Sequence, residues 1–142
     1  MGKSVVIIGH RECHFFPEEK VISQIQFLLD NGYDTFYSGG MGEFDLKCAR
    51  ILVRIKQTCP NLQSHLVIPF LSFKIPSSDL YDEIIFPAEC DNLSPRFAIP
   101  RRNRWMVDQS QAALCFVLYS WGGAATTLQY AQKKNLHIFS AT

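Results

Sequence analysis

Two glycine-rich loops contain residues suited to binding an anion. The segment SGGMGEFD, residues 38–45, combines three glycines with Glu43 and Asp45. The segment GGAATT, residues 122–127, repeats the adjacent glycine pair. Adjacent glycines at the start of a helix let a ligand approach the backbone, whose N–H groups and dipole favour phosphate. Arg11 also follows an apolar segment, so the two loops and this arginine together predict a phosphate or nucleotide site. Either loop alone could contain glycine only because the turn from a strand into a helix requires it.

The carboxylates of the first loop have alternative roles. Glu43 and Asp45 stand where the first turn of a helix is expected, so they could cap that helix. Asp45 could instead accept hydrogen bonds from ribose hydroxyls. Together with Asp108, they are the candidates for a catalytic acid or base. His10 is either a general acid or a hydrogen-bond donor within its loop.

A basic cluster, RRNRWMVD at 101–108, is predicted to be helical. On a helix Arg101, Arg104 and Asp108 share one face. Arg104 and Asp108 could form a structural ion pair. In the functional interpretation Arg101 and Arg104 bind a phosphate group, and Asn103 forms hydrogen bonds with a base or ribose.

Apolar periodicity indicates which elements carry these residues. Short β-branched runs predict strands, and apolar residues at 3.6-residue spacing between them predict helices. Strict alternation of the two predicts one α/β, Rossmann-like, three-layer domain over 1–142, with a mostly parallel sheet and helices on both faces. The predicted strands are 4–10, 34–40, 65–71, 83–87, 112–120 and 136–141, with a loop of at most one helical turn at 72–82. The predicted helices begin at Pro17, at Glu43, near Pro100 and at Gly122.

Composition limits the classes of protein. The chain has 142 residues, 47% of them apolar and 19% charged, with no apolar run long enough for a membrane span and no signal-peptide pattern, so the cytoplasm is expected. Five cysteines without metal-type spacing indicate free thiols, and scattered histidines predict no metal site. A formal net charge of +1 gives no basic excess of the kind that indicates a nucleic-acid partner.

The motifs GHR, SGGMGEFD, RNRWMVDQS and GGAATTLQYA, in this order, resemble the YpsA-like branch of the SMF/DprA–LOG (SLOG) superfamily. The resemblance covers nearly the whole chain and implies a Rossmann-like domain that binds nucleotides or nucleotide-derived ligands at these motifs. The residues expected to contact the ligand are Gly9, His10, Arg11, Ser38, Gly39, Gly40, Met41, Gly42, Glu43, Asp45, Arg101, Asn103, Arg104, Gly122, Gly123, Ala124 and Thr126.

One departure from the sequence pattern of the superfamily favours binding over catalysis. Its hydrolases carry P-G-G-x-G-T-x-x-E, but here the matching segment, 121–129, ends in Leu128 and Gln129 instead of an acid. Glutamine does not exchange a proton as a carboxylate does. We therefore expect a small sensor or binding protein for an AMP-, ADP-ribose- or NAD-like ligand. A LOG-like N-glycosidic hydrolase, or phosphoribohydrolase, acting on a nucleoside monophosphate is the alternative.

DprA-like binding of single-stranded DNA is the second alternative, based on the RRNR cluster and nearby aromatics such as Trp105. The expected partner is nevertheless a small nucleotide-like molecule, and neither nucleic acid nor a membrane is expected. The chain requires no cofactor, although it is compatible with a nucleotide-type ligand. The resemblance and the eleven phenylalanines suggest a homodimer or a higher oligomer.

Overall fold

The computed structural model describes residues 2–142, which form an α/β domain around one six-stranded sheet. All recorded strand pairings are parallel, so the predicted fold class is confirmed and the described sheet is wholly parallel rather than mostly so. The strands are β1 (Lys3–Gly9), β2 (Tyr33–Ser38), β3 (Gln63–Val67), β4 (Glu83–Ile85), β5 (Ala112–Phe116) and β6 (His137–Ser140). The helices are α1 (Glu18–Asp30), α2 (Glu43–Lys56), α3 (Pro95–Asp108) and α4 (Gly123–Lys133), with single 3-10 turns at Ser78–Leu80 and Ala88–Cys90.

The sheet order, β4-β3-β2-β1-β5-β6, places β1 at its centre. Val5 of β1 pairs with Phe36 on one side and with Ala112 on the other. The chain builds outward from β1 to β4 and then returns to add β5 and β6 on the opposite side. The carboxyl ends of β1 and β5 therefore flank the point where the strand order reverses, which is where open α/β sheets bind ligands.

Alternation along β1 produces the three layers. Val5 and Ile7 belong to one apolar core, which α1 and α2 complete. Val6 and Ile8 face the other side and join the core that α3 and α4 complete. Successive strand residues point to opposite faces, so a strand covered on both faces reads as a continuous apolar run.

Several boundaries differ from those expected. Helix α3 begins at Pro95, so Pro100 lies inside it rather than near its start, on an exposed side of the helix. Strand β5 ends at Phe116, four residues before the predicted end at Ser120. The single helical turn expected within 72–82 is confirmed. All five cysteines are free, and no helix in residues 2–142 is long and apolar enough to cross a membrane.

Candidate functional site

A cleft of about 300 Å3, here called the main cavity, opens at the carboxyl ends of β1, β2 and β5. Its floor is the end of β1, and its sides are the loop before α2, one face of α3 and the first turn of α4. Ten of the residues expected to contact a ligand line it: Gly9, His10, Arg11, Gly39, Met41, Gly42, Asp45, Asn103, Gly123 and Ala124. The lining residues that the sequence did not indicate are Ile7, Ile8, Ile99, Arg102, Met106 and Thr127.

Arg102 is the main residue that the sequence analysis missed. Only 2% of this residue is exposed, and it joins α3 to the loop before α2. Its Nη1 donates to the carbonyl oxygens of Gly39 (3.1 Å) and Val67 (2.5 Å). Its Nη2 donates to the sulfur of Met41 (3.1 Å), and its Nε to Oδ1 of Asn103 (2.8 Å). The guanidinium therefore holds the wall of the main cavity in place.

Helical spacing offered a signal for this role. Ala98, Arg102 and Met106 recur at intervals of four and are all buried, so Arg102 lies on the inward stripe of α3. Arg101 and Arg104 lie on the exposed faces instead.

Asp45 is the second buried charged residue of the site, with 8% of it exposed. Its Oδ2 accepts a hydrogen bond from the N–H of Gly39 at 3.2 Å, whereas its Oδ1 is buried and has no protein partner among the described residues. Burial raises the pKa of this carboxyl to about 6, although the Gly39 N–H and the charge of Arg102 oppose the rise. Burial also lowers the pKa of Arg102 to about 10, against the opposing charge of Asp45.

The glycines of the first loop pack against protein rather than leaving room for a ligand. A Cβ on Gly39 would lie 2.9 Å from Cζ of Arg102. A Cβ on Gly42 would lie 2.9 Å from Cα of Arg11. Gly40 adopts a φ of +67°, which side chains other than glycine rarely adopt. These three glycines are therefore explained by close packing and backbone geometry.

The second glycine loop is open. Gly122, at φ +93°, and Gly123 have no neighbouring atoms within 4 Å of the position of an added Cβ. Helix α4 begins at Gly123, so its first N–H groups face this space. The Thr126 hydroxyl donates back to the Gly122 carbonyl oxygen at 3.0 Å. Of the two loops, the one before α4 is accessible to an anion.

His10 links the ends of β1 and β5. Its Nε2 accepts a hydrogen bond from the N–H of Leu118 at 2.8 Å, so in this arrangement it is a loop acceptor rather than the expected donor. Its ring also packs against Tyr119, with 4.8 Å between centroids. Burial lowers the pKa of His10, which favours the neutral ring that this bond requires. Arg11, the next residue, is exposed.

Two of the three catalytic candidates lie outside the main cavity. Glu43 is exposed on α2, with its Oε2 4.0 Å from Nζ of Lys47. Asp108 accepts a hydrogen bond from the Tyr130 hydroxyl at 2.8 Å. No Arg104–Asp108 ion pair occurs in residues 2–142; the Arg104 guanidinium lies over the Tyr130 ring at 5.8 Å instead. Asp45 is thus the only one of the three candidates that lines the main cavity.

The other expected contact residues lie near the main cavity without lining it. Ser38 and Gly40 are buried within the first loop, and Arg101 is exposed on α3. Leu128, which precedes the position of the hydrolase acid, packs into the second core. No group of three His, Cys, Asp or Glu residues within the described chain could hold a metal ion.

Two further concavities adjoin the main cavity. The α4 cavity, about 360 Å3, shares Asn103 and Gly123 with it and is also lined by Arg104, Thr126 and Lys133. On the opposite side, a largely apolar aromatic groove of about 760 Å3 shares residues with the main cavity and continues to the C terminus. The aromatic groove is lined by His10, Arg11, Glu12, His14, Phe15, Pro17, Lys20, Phe116, Leu118, Tyr119, Ala141 and Thr142.

An exposed aromatic pair stands beside the aromatic groove. The rings of Tyr119 and Trp121 stack at 4.9 Å with an interplanar angle of 22°, and 68% of Trp121 is exposed. The aromatic groove shares His10 and Arg11 with the main cavity, which in turn shares Asn103 and Gly123 with the α4 cavity, and the three in this order are called the channel.

Comparison with solved structures supports the fold. The structure is similar to DNA processing protein A (DprA) from Helicobacter pylori, described by its unique single-stranded DNA binding mode, with a TM-score of 0.70 and 20% identity. It is also similar to DprA from Streptococcus pneumoniae, with a TM-score of 0.74 and 18% identity. Each match covers 98% of this chain but only 65% and 50% of the respective DprA chains. No protein-family model and no curated protein matches the chain.

These neighbours agree with the resemblance at the level of the SMF/DprA–LOG fold, and they do not address the YpsA-like branch. The expectation of a small-molecule partner rather than a nucleic acid is wrong, because the similar structures are DprA proteins and one is described by its single-stranded DNA binding. The error has a physical cause. A net charge of +1 is a sum over the chain and does not report that Arg11, Arg104 and Lys133 lie along one channel.

Proposed function

We propose that this chain binds single-stranded DNA along the carboxyl edge of its sheet. The observation that carries the proposal is the open glycine pair Gly122–Gly123 at the start of α4, which lies between a stacked, exposed aromatic pair and a basic cavity. Nonspecific single-strand binding combines a basic groove for the backbone with aromatic side chains on which bases stack. The single-stranded DNA binding described for the similar Helicobacter pylori protein supports the same function.

The first element of the proposal is a backbone phosphate at the start of α4. The Thr126 N–H already bonds to the Gly122 carbonyl oxygen at 3.0 Å, as in an ordinary first turn. The N–H groups before it point out of the helix, where the dipole favours an anion. Neither glycine carries a side chain that would keep a phosphate oxygen away. Arg11 on one side and Arg104 on the other would hold the neighbouring phosphates.

The second element is base stacking on Tyr119 and Trp121. Their rings stack on each other at 22°, and Trp121 is mostly exposed, so a base can extend the stack on the outer face of the indole. Stacking of a base on an aromatic side chain contributes roughly 1–3 kcal/mol and tolerates any base. Trp121 directly precedes Gly122, so the pair lies beside the phosphate position in the channel.

Fluorescence anisotropy with a labelled oligothymidine of about 20 nucleotides tests the proposal. We expect binding that weakens as salt rises, because each neutralised phosphate of a single strand contributes a slope of about −0.7. A duplex of equal length should bind more weakly, since its bases cannot stack on the aromatic pair. Absence of binding to the oligothymidine at about 50 mM salt would overturn the proposal.

Trp121→Ala gives a residue-level test. It should weaken oligothymidine binding by about 5- to 150-fold, the equivalent of losing one stacked base. Phe97→Ala is the matched control, because Phe97 is similarly exposed, at 59%, but lines neither cavity nor the aromatic groove. Equal losses in the two variants would argue against stacking on Trp121.

Narrower assignments are also part of the proposal. We place the chain in the YpsA-like branch on its motifs, in the cytoplasm on its composition, and in a homodimer or higher oligomer on the resemblance. Light scattering of the free protein measures the oligomeric state directly. No observation at the site favours the hydrolase, since Gln129 stands at the position of the acid.

A further inference from the structure

We propose that His10 is a positioning residue that holds Tyr119 and Trp121 in place for base stacking, and that it does so only while its ring is neutral. This inference rests on the single-strand binding proposed above and adds a regulation by pH to it. The consequence is a protein that loses base stacking on acidification, even though acidification makes the chain more positively charged.

The segment 118–121, which carries the aromatic pair, has few contacts that fix its position. It lies between β5 and α4, belongs to no helix or strand, and all four of its residues are exposed. Within residues 2–142, its only hydrogen bond runs from the N–H of Leu118 to Nε2 of His10, at 2.8 Å. The backbone of the segment is therefore held at one point, and His10 supplies the acceptor there.

The His10 ring also begins a row of three aromatic rings. It lies 4.8 Å from the Tyr119 ring, and the Tyr119 ring lies 4.9 Å from that of Trp121. His10 directly follows β1, the central strand of the sheet, so the row starts from a fixed part of the fold. The hydrogen bond positions the backbone of the segment and the ring contact positions its first aromatic side chain, so both depend on one imidazole.

Protonation of His10 removes the hydrogen bond. A neutral imidazole has one donor nitrogen and one acceptor nitrogen, and here Nε2 is the acceptor. In the imidazolium both nitrogens carry a hydrogen, so Nε2 would present an N–H to the N–H of Leu118. Burial lowers the pKa of His10 below its ordinary value of 6.5, so the bond is present at neutral pH and is lost only at lower pH.

Other ionisable groups surround His10. Those that share a cavity with it are Arg11, Glu12 and His14 of its own loop, Lys20 of α1, Tyr119, Asp45 of α2 and Arg102 of α3. Glu12 lies 3.4 Å from His14, and Lys20 donates to the carbonyl oxygen of Thr142 at 2.8 Å. Burial alone lowers the pKa of His10. Asp45, with a pKa of about 6, titrates in the same pH range, so the test must separate the two residues.

The first experiment needs neither DNA nor a variant. Amide NMR spectra of the free protein from about pH 7.5 to about pH 4.5 cover the titration of His10. The Leu118 amide signal should shift with the same midpoint as the His10 ring signals, and the indole N–H signal of Trp121 should change with them. A Leu118 signal that stays constant over this range would overturn the inference.

The second experiment compares oligothymidine binding by the wild type and by His10→Gln at the two ends of this pH range. The glutamine carbonyl oxygen accepts a hydrogen bond at either pH. The affinity of the wild type relative to that of His10→Gln should fall at least about 5-fold on acidification, the equivalent of one stacked base. Thymine does not titrate in this range and Asp45 is present in both proteins, so the ratio reports His10. An unchanged ratio would argue against the inference.

His137→Gln is the matched control for the pH dependence. His137 is exposed at the amino end of β6, on the opposite edge of the sheet from the channel. This variant should show the same change of affinity with pH as the wild type. A loss of pH dependence in His137→Gln equal to that in His10→Gln would contradict the assignment to His10.

A comparison at neutral pH isolates the acceptor. Glutamine and methionine have similar lengths and both remove the ring, but only glutamine carries an oxygen that accepts from the Leu118 N–H. At about pH 7.5, His10→Gln should bind oligothymidine at least about 5-fold more tightly than His10→Met. Equal affinities of the two folded variants would overturn this inference and leave the proposed function standing. Absence of oligothymidine binding by the wild type would overturn the proposed function itself, whereas the NMR titration tests the His10 contact without DNA.

Discussion

Nη1 of Arg102 lies 3.1 Å from the carbonyl oxygen of Gly39, and this bond joins α3 to the loop before α2. The same loop donates the Gly39 N–H to Asp45, so one peptide segment is held from both sides. Because the glycine has no Cβ, the guanidinium can lie directly against the backbone. The wall of the main cavity is therefore built before any ligand binds.

Gly39→Ala should destabilise the protein, whereas Gly123→Ala should not. The new Cβ on Gly39 would lie 2.9 Å from Cζ of Arg102, and such overpacking costs about 1–3 kcal/mol. The same change at Gly123 meets open space at the start of α4, so the free energy of unfolding should be unchanged or rise by up to about 1 kcal/mol. Urea unfolding of both variants provides the measurement. Equal destabilisation would contradict the distinction between the packed and the open glycine loops.

Arg102→Lys should be strongly destabilising despite conserving the charge. Lysine has three donors on a single nitrogen and cannot reproduce four bonds spread over a planar guanidinium. Each buried acceptor left without its donor costs about 1–3 kcal/mol, and the carbonyl oxygens of Gly39 and Val67 both accept from Arg102.

Arg101→Lys serves as the control for this change, since Arg101 is exposed and the expected effect of the substitution is within about 0.5 kcal/mol. Chemical denaturation of both variants at neutral pH makes the comparison. A mild effect at position 102 would mean that the recorded hydrogen bonds contribute little to stability.

Asp45 should make the protein less stable as pH rises. Its pKa is about 6 in the folded state against an ordinary value of 3.8, so the folded state binds more protons between these pH values. Stability gained by protonation is therefore present below about pH 4 and is lost as pH rises through about 6, by up to about 3 kcal/mol. Burial causes the shift, with the Gly39 N–H and Arg102 opposing it.

The difference between the wild type and Asp45→Asn isolates this contribution from that of His10, whose lowered pKa acts in the opposite direction. From about pH 4.5 to 7.5 the free energy of unfolding of Asp45→Asn should rise relative to that of the wild type. A constant difference across this range would place the folded-state pKa of Asp45 near its ordinary value.

Some features of the site could be predicted from the sequence because they depend on local pattern. The alternating strands and helices follow from apolar periodicity, and the loops at 38–45 and 122–127 were placed correctly at helix starts. The opposite environments of Gly39 and Gly123 could not be predicted, because they depend on which side chain from elsewhere fills the space. Arg102 was missed because arginine is normally exposed, although its spacing from Ala98 and Met106 matched the buried stripe.

Arg104→Gln should reduce the salt dependence of oligothymidine binding as well as its strength. Arg104 borders the α4 cavity and its guanidinium lies over the Tyr130 ring, so its charge is held beside the proposed path of the strand. Loss of one phosphate contact should reduce the magnitude of the slope of log affinity against log salt by about 0.7. Arg54→Gln is the control, because Arg54 lies near the C-terminal end of α2, where its Nη1 is 3.8 Å from Glu18 Oε1.

Trp121→Ala should lower affinity without changing this slope, since stacking releases no counterions. If Arg104→Gln and Arg54→Gln changed the slope equally, the strand would not be following the α4 cavity, and the basic end of the channel would have to be sought elsewhere on the surface.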